Sequence, residues 1–250
     1  VVVATLVGAR LGHVFFYQPE LLTEDPLSVF LPIRTKPEFE FTGFSGLASH
    51  GATIGILIAL YLFIKKFKNI KLMWLLDRIT IPVAFGAIFV RLGNFFNSEI
   101  IGKPTDASLF SSVRFIRGED SLSKYDAARL TGEKNFSKAF ELIETDPRFT
   151  ETLNSIPYRH PAQLYEAFGY VIVFILLWWL YWKTNKKDQP GYLFGLFFVL
   201  LWTVRFVVEF VKESQGGFES ALGLLSTGQW LSIPFILLGF YFMWKAKPSA

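Results

Sequence analysis

The sequence predicts an all-α integral membrane protein: a polytopic helical bundle of about six spans with a small extracytoplasmic cap. Three observations carry this. Of the 250 residues, 52% are hydrophobic and 18% aromatic. Charged residues make up only 18%, below the roughly 25% usual in soluble domains. Apolar runs approaching the ~20 residues of a membrane span recur along the chain. The 28 Phe and 7 Trp residues suit lipid-facing surfaces with aromatic belts at the interfaces.

The six segments are roughly 1–17, 47–64, 79–96, 163–182, 191–211 and 231–244. Backbone groups in hydrocarbon must bond within their own segment, so each is expected to be a helix. Several are short for an isolated span, and polar ends or modest tilt complete them. The chain opens on "VVVATLVGAR", without a basic leader. A secretory signal requires such a leader, so the opening reads as the inside of a helix with a further span before it.

Lysines orient the bundle. "IKKFKNIK", "KTNKKDQ" and the closing "KAKPSA" follow every second span, which places them in the cytoplasm together with the C-terminus. The net charge of +4 therefore reads as topology, not nucleic-acid binding. The intervening loops face outward: an outer loop at 18–46, a cap at 97–161, and a third loop from Lys212 to about Thr227. The domain plan is thus membrane helices over 1–96, cap over 97–161, and membrane helices over 162–250. Within the cap, "NFSKAFELIE" repeats Phe136, Phe140 and Ile143 at helical spacing.

With no cysteine, disulfides, thiolate metal sites and a cysteine nucleophile are excluded. The three histidines lie far apart, so no metal site is expected. Neither a phosphate-binding P-loop nor a nucleophile elbow is present. No cofactor is implied, and nothing indicates an oligomer.

The polar groups that do interrupt apolar sequence gather at outer helix ends. Arg91 lies fourteen residues, or about 21 Å, beyond Asp77 on one helix, in the outer third of a core about 30 Å thick. Burying an arginine at mid-membrane costs about 2.5–3.5 kcal/mol. Arg91, Asn94 and Ser98 fall at i, i+3, i+7, one stripe if the helix persists. A guanidinium is a planar fork suited to phosphate; the competing reading is an arginine that snorkels while Asn94 caps a neighbour. Arg205, Glu209 and Lys212 share another face. There an Arg205–Glu209 pair either holds helices together or turns Arg205 toward an anionic ligand. His50 precedes Gly51 and Gly55, small residues that permit close helix approach; it is either an interface group or a proton acceptor. "RLGHVFF" at Arg10–Phe16 echoes "RLGNFFN" at Arg91–Asn97.

These residues also carry a family resemblance. "RLGNFFNSEIIG" resembles the signature of the prolipoprotein diacylglyceryl transferases. "GARLGHVFFYQP", "SHGATIGIL", "YRHPAQLYEA", "RFVVEF" and "STGQWLSIPFILLG" are similar to that family's other segments, in its order and over nearly the whole chain. The resemblance implies transfer of a diacylglyceryl group from phosphatidylglycerol to the lipobox cysteine of a prolipoprotein, at the outer leaflet of a bacterial inner membrane. The sulfur nucleophile then comes from the substrate.

Carried across, Arg91 contacts the phospholipid head group, with Asn94, Asn97, Glu99 and Gly102 shaping the site. Arg205 is the second cation and Glu209 its partner. His50 is either general base or substrate-orienting group. His160, Gln163, Tyr165 and Glu166 order the cap and a helix entrance. The chain departs from the family in lacking one helix before "GARLG". Leu201 stands where a tyrosine is common, Lys212 where a second arginine follows the glutamate, and Ala52 in place of a glycine. The competing function is a transporter or lipid-binding protein that uses the same arginines for an anionic amphipathic ligand.

Overall fold

The computed structural model describes all residues except 32, 36–38, 42–45, 119–120, 214–224 and 249–250. The middle of the expected third outer loop and parts of the loop at 18–46 therefore lie outside the described residues. The chain divides into two compact units, Val1–Leu72 and Met73–Ala250.

The first unit pairs α1 (Val2–Tyr17) with α4 (Ser49–Lys66). Glycine makes the pairing possible. A Cβ on Gly51 would lie 2.1 Å from the Gly8 carbonyl oxygen and 2.6 Å from the Gly12 Cα. Only backbones without side chains approach this closely. Ala48 N–H donates to the Ala9 carbonyl at 2.9 Å, which fixes where α4 begins. Between them run α2 (Leu21–Glu24), α3 (Pro26–Phe30) and a two-residue antiparallel pair, β1 (Ile33–Arg34) and β2 (Glu40–Phe41).

The second unit holds α5 (Leu72–Phe96), α9 (Ala162–Lys183), α10 (Tyr192–Val208) and α11 (Thr227–Lys245). α5 and α9 are long and apolar enough to cross a membrane, and α1 and α10 are shorter apolar helices. Ile81, Ala84, Val173, Leu177, Leu193 and Phe197 form the core of α5, α9 and α10. α10 and α11 meet glycine to glycine, with Gly195 against the Gly239 carbonyl, and Trp202 stacks on Phe235 at 4.2 Å between centroids.

All six apolar segments are helical, but their ends differ from those expected. α5 starts at Leu72, seven residues early, because both charges in its first turns are accommodated. Asp77 is fully buried and accepts the N–H groups of Gly191 at 2.7 Å and Phe194 at 2.8 Å, capping the N-terminus of α10. The Arg78 guanidinium lies 3.5 Å from the centroid of Trp74.

Between α5 and α9 the chain builds a satellite core. It contains α6 (Lys124–Thr131), α7 (Phe136–Thr145), α8 (Thr150–Ser155) and the antiparallel pair β3 (Val113–Arg114) and β4 (Tyr158–Arg159). Ala127, Ala139, Phe140, Ile143, Ile116 and Ile156 make up its interior. α7 is the helix the Phe136–Phe140–Ile143 spacing predicts, and Asn135 caps it through the N–H groups of Ser137 and Lys138.

Candidate functional site

α5 ends at Phe96, and the chain then turns sharply. Ser98 and Ile100 adopt φ of 57° and 58°. For a β-branched residue such as Ile100 this conformation is costly, and it persists only where surroundings impose it. The turn ends the expected stripe: Ser98 leaves the face of Arg91 and Asn94. It also brings Glu99 back over the helix end. Glu99 N–H donates to the Asn94 carbonyl at 2.9 Å, and the Asn94 amide donates to the Glu99 carboxylate at 3.0 Å. Arg91 donates to the Asn94 side-chain oxygen at 3.2 Å. Arg91, Asn94 and Glu99 thus form one polar chain. Asn97 is exposed, and its N–H closes the helix on the Gly93 carbonyl.

The principal partner of Arg91 is Glu166 on α9, whose carboxylate meets the Arg91 Nε. Glu166 is 2% exposed, and its other oxygen has no hydrogen-bond partner. One helical turn earlier, Gln163 donates to the Glu99 carbonyl at 2.6 Å, and its own side-chain oxygen is buried without a partner. One turn later, Tyr170 interacts electrostatically with Glu166, Arg91 and Arg205. Gln163, Glu166 and Tyr170 stand at i, i+3, i+7 and so share one face of α9. Glu166, expected to order the helix entrance, is here the direct partner of Arg91, and Tyr170 joins the site without having been among the expected residues. The polar stripe on an otherwise apolar helix was the signal for both.

Arg205, near the end of α10, stacks at 5.7 Å over the ring of Trp202, and its buried Nε has no hydrogen-bond partner. The i, i+4 spacing suggested an ion pair with Glu209. Glu209 instead pairs with Lys212 at 3.5 Å. The backbone keeps helical register here, since the Glu209 N–H still donates to the Arg205 carbonyl at 3.0 Å. It is the Glu209 side chain that reaches elsewhere while the chain turns on to Val211. The Glu209 carboxylate lies against the first turn of α11, where a Cβ on Gly228 would meet it at 2.4 Å. A carboxylate is favoured there by the helix dipole.

Beyond α10, Lys212 is 4% exposed. Burial pushes its ammonium below the ordinary lysine value, Glu209 opposes that shift, and Arg205, Glu166 and Arg91 act on it at longer range. Three cations and two carboxylates from α5, α9 and the end of α10 therefore occupy one neighbourhood.

Gly102 is buried at a three-way crossing. Its N–H donates to the His160 carbonyl at 3.0 Å, and it pairs with Lys212 in an antiparallel bridge. A Cβ here would lie 2.3 Å from the His160 oxygen and 2.8 Å from the Val211 oxygen. Arg159 ties the crossing together through Gly102 O at 3.1 Å and Glu213 at 2.5 Å. His160 approaches the Tyr165 hydroxyl at 3.3 Å, and that hydroxyl bonds Ser111 at 2.7 Å.

In the first unit, His50 is exposed in the first turn of α4. Arg10 donates to the carbonyls of Val29 at 3.1 Å, Gly46 at 3.3 Å and Ser28 at 2.6 Å. The RLG echo thus joins two different arrangements: Arg10 gathers loop carbonyls, and Arg91 meets a carboxylate. Among the described residues no cluster of metal-ligating side chains occurs.

Comparison with known proteins gives a consistent picture. The family description "Prolipoprotein diacylglyceryl transferase" matches residues 1–245. The phosphatidylglycerol–prolipoprotein diacylglyceryl transferase of Bacteroides fragilis is 39% identical over 240 residues, covering 95% of this chain and 72% of that protein. The protein of the same name from Tolumonas auensis is 39% identical over 241 residues, covering 96% and 74%. That of Porphyromonas gingivalis is 36% identical over 251 residues, covering 98% and 75%.

Proposed function

Because the chain belongs to the prolipoprotein diacylglyceryl transferase family, we propose that it is a transferase that moves the diacylglyceryl group of phosphatidylglycerol onto the lipobox cysteine of a prolipoprotein. The thiol sulfur forms a bond to the terminal glyceryl carbon of the diacylglycerol. The bond from that carbon to the phosphate oxygen breaks, and glycerol phosphate leaves with the electron pair. The thiol proton passes to a base. Since the nucleophile belongs to the substrate, the chain has to supply anion recognition, charge stabilisation and proton transfer.

The observation that carries the site assignment is the gathering of Arg91, Arg205 and Lys212 with Glu166 and Glu209. The buried Arg205 Nε has no hydrogen-bond partner. A phosphodiester oxygen is the acceptor that suits it. In this reading Arg91 and Arg205 hold the head-group phosphate and stabilise the charge that grows on the leaving oxygen. Asn94 and Glu99 orient Arg91, Asn97 lines the turn, and Gly102 lets the crossing strands close beneath. Glu209 shapes the cationic side of the site. His50 is assigned either uptake of the thiol proton or orientation of the substrate, roles that an imidazole can serve.

The same reading makes the protein multi-pass in a bacterial inner membrane, with helices over 1–96 and 162–250, an extracytoplasmic cap at 97–161 and a cytoplasmic C-terminus. The reaction takes place toward the outer leaflet. Lysines at "IKKFKNIK", "KTNKKDQ" and "KAKPSA" support this orientation.

The test is thioether formation. The purified chain is incubated in detergent with phosphatidylglycerol and a lipobox peptide, and the modified peptide is detected by mass. The expected result is a diacylglyceryl mass increment that Arg91→Ala abolishes. Wild-type yield from Arg91→Ala would overturn the head-group assignment. Lipid binding without product would return the chain to the transporter class.

A further inference from the structure

The cluster contains three cations with different chemistry. Arg91 and Arg205 are guanidinium groups, which do not deprotonate in proteins. Lys212 is an ammonium on a flexible stem, buried, with its Nζ 3.5 Å from Glu209. It is the only cation of the cluster able to lose its charge, and a phosphodiester ligand does not titrate in the same range. We infer that Lys212 is a third cation of the head-group site, and that its protonation sets the alkaline limit for capture of phosphatidylglycerol. The inference rests on the transferase reading given above.

The surroundings of Lys212 support it. Glu209 pairs with the ammonium at 3.5 Å. Arg205 from α10, Glu166 from α9 and Arg91 from α5 act on it electrostatically. Among the described residues, other charged groups around the crossing make their own contacts: Glu213 with Arg159 at 2.5 Å, Lys103 with the Phe210 carbonyl at 2.9 Å, and Glu99 with the Asn94 amide at 3.0 Å. The Lys212 backbone bridges Gly102, which fixes where its side chain enters the cluster. With Lys212 protonated, the site presents three cations to the phosphate. Once Lys212 is neutral, one of the three is lost and an anion binds less tightly. Burial lowers the Lys212 titration from the ordinary 10.5, so the loss falls below that pH. Bound phosphate favours the charged ammonium, so lipid capture in this window takes up a proton.

The experiment measures equilibrium binding of short-chain phosphatidylglycerol to the full chain in uncharged detergent from about pH 7 to pH 10. The wild type is expected to lose about tenfold or more in affinity across this range. Lys212→Arg keeps the charge without the titration, so its affinity profile should be flat. Lys212→Met should bind weakly at neutral pH and show no further alkaline loss. A wild-type profile without alkaline loss overturns the inference and leaves the transferase reading standing. An alkaline loss that persists in Lys212→Arg overturns it too, and assigns the titration to a different group. Failure to bind phosphatidylglycerol at any pH overturns both readings. Lys212→Arg retains the cation, which keeps the test decisive if Lys212→Met does not fold.

Discussion

Arg91 on α5 and Glu166 on α9 form an ion pair whose two side chains are 13% and 2% exposed. This pair joins the two long apolar helices of the second unit and places a carboxylate beside the proposed phosphate ligand. Glu166 thereby limits the free charge of Arg91, and a phosphate has to share the guanidinium with it.

Replacing Glu166 by Gln removes the counter-charge and leaves Arg91 buried without its partner. Breaking such a pair costs about 3–5 kcal/mol. The midpoint of thermal unfolding in detergent is expected to drop clearly. An unchanged midpoint would mean that Asn94 and the remaining surroundings compensate fully.

Asp77 makes a different kind of prediction. Its carboxylate satisfies two N–H groups at the start of α10 that have no partner within that helix. Asp77→Ala is expected to destabilise the fold by about 1–2 kcal/mol, the usual value of a helix cap. Amide exchange should rise first at Gly191 and Phe194. Uniform acceleration throughout α5 and α10 instead would show that Asp77 acts on the packing as a whole.

For Gly102, the built Cβ meets backbone oxygens, which cannot rotate away. Gly102→Ala should therefore separate the segment at 101–103 from those at 158–160 and 210–213. Overpacking of this kind costs about 1–3 kcal/mol. Both stability and thioether yield are expected to fall. Loss of yield with full stability would indicate instead that Gly102 lies against the substrate.

In the satellite core, hydrogen bonds from the Arg148 side chain hold the Asp146 carboxyl below its ordinary value of 3.8. The backbone N–H of Arg148 adds to that effect. A carboxyl with a lowered folded pKa adds stability above the unfolded value and loses it as pH falls through the folded one. The satellite core should thus weaken in acid below about pH 3.8, and Asp146→Asn should remove that part of the slope. Carbon chemical shifts of the Asp146 carboxyl report its titration directly. A midpoint at or above the ordinary value would refute the assignment.

The six apolar segments, the helix at Phe136–Thr145 and the polar run after Val90 could all be read from the sequence. Each rests on local physics: periodicity, the cost of charge in hydrocarbon, and capping side chains. The family resemblance also used the order of motifs, which needs no coordinates. What the sequence did not determine was who pairs with whom. Arg205 and Glu209 stand at helical spacing, and the Glu209 N–H still bonds the Arg205 carbonyl, yet the Glu209 carboxylate lies against Gly228 beside Lys212. Glu166 and Tyr170 lie more than seventy positions from Arg91 and meet it only because α5 and α9 pack together. The stripe through Ser98 failed because the chain takes a left-handed turn at Ser98 and Ile100, a conformation that neither residue favours on its own. Local sequence sets the helices and the charges placed on them. Only tertiary packing decides which charges meet, because a pair's energy depends on separation and burial, which spacing along one chain does not determine.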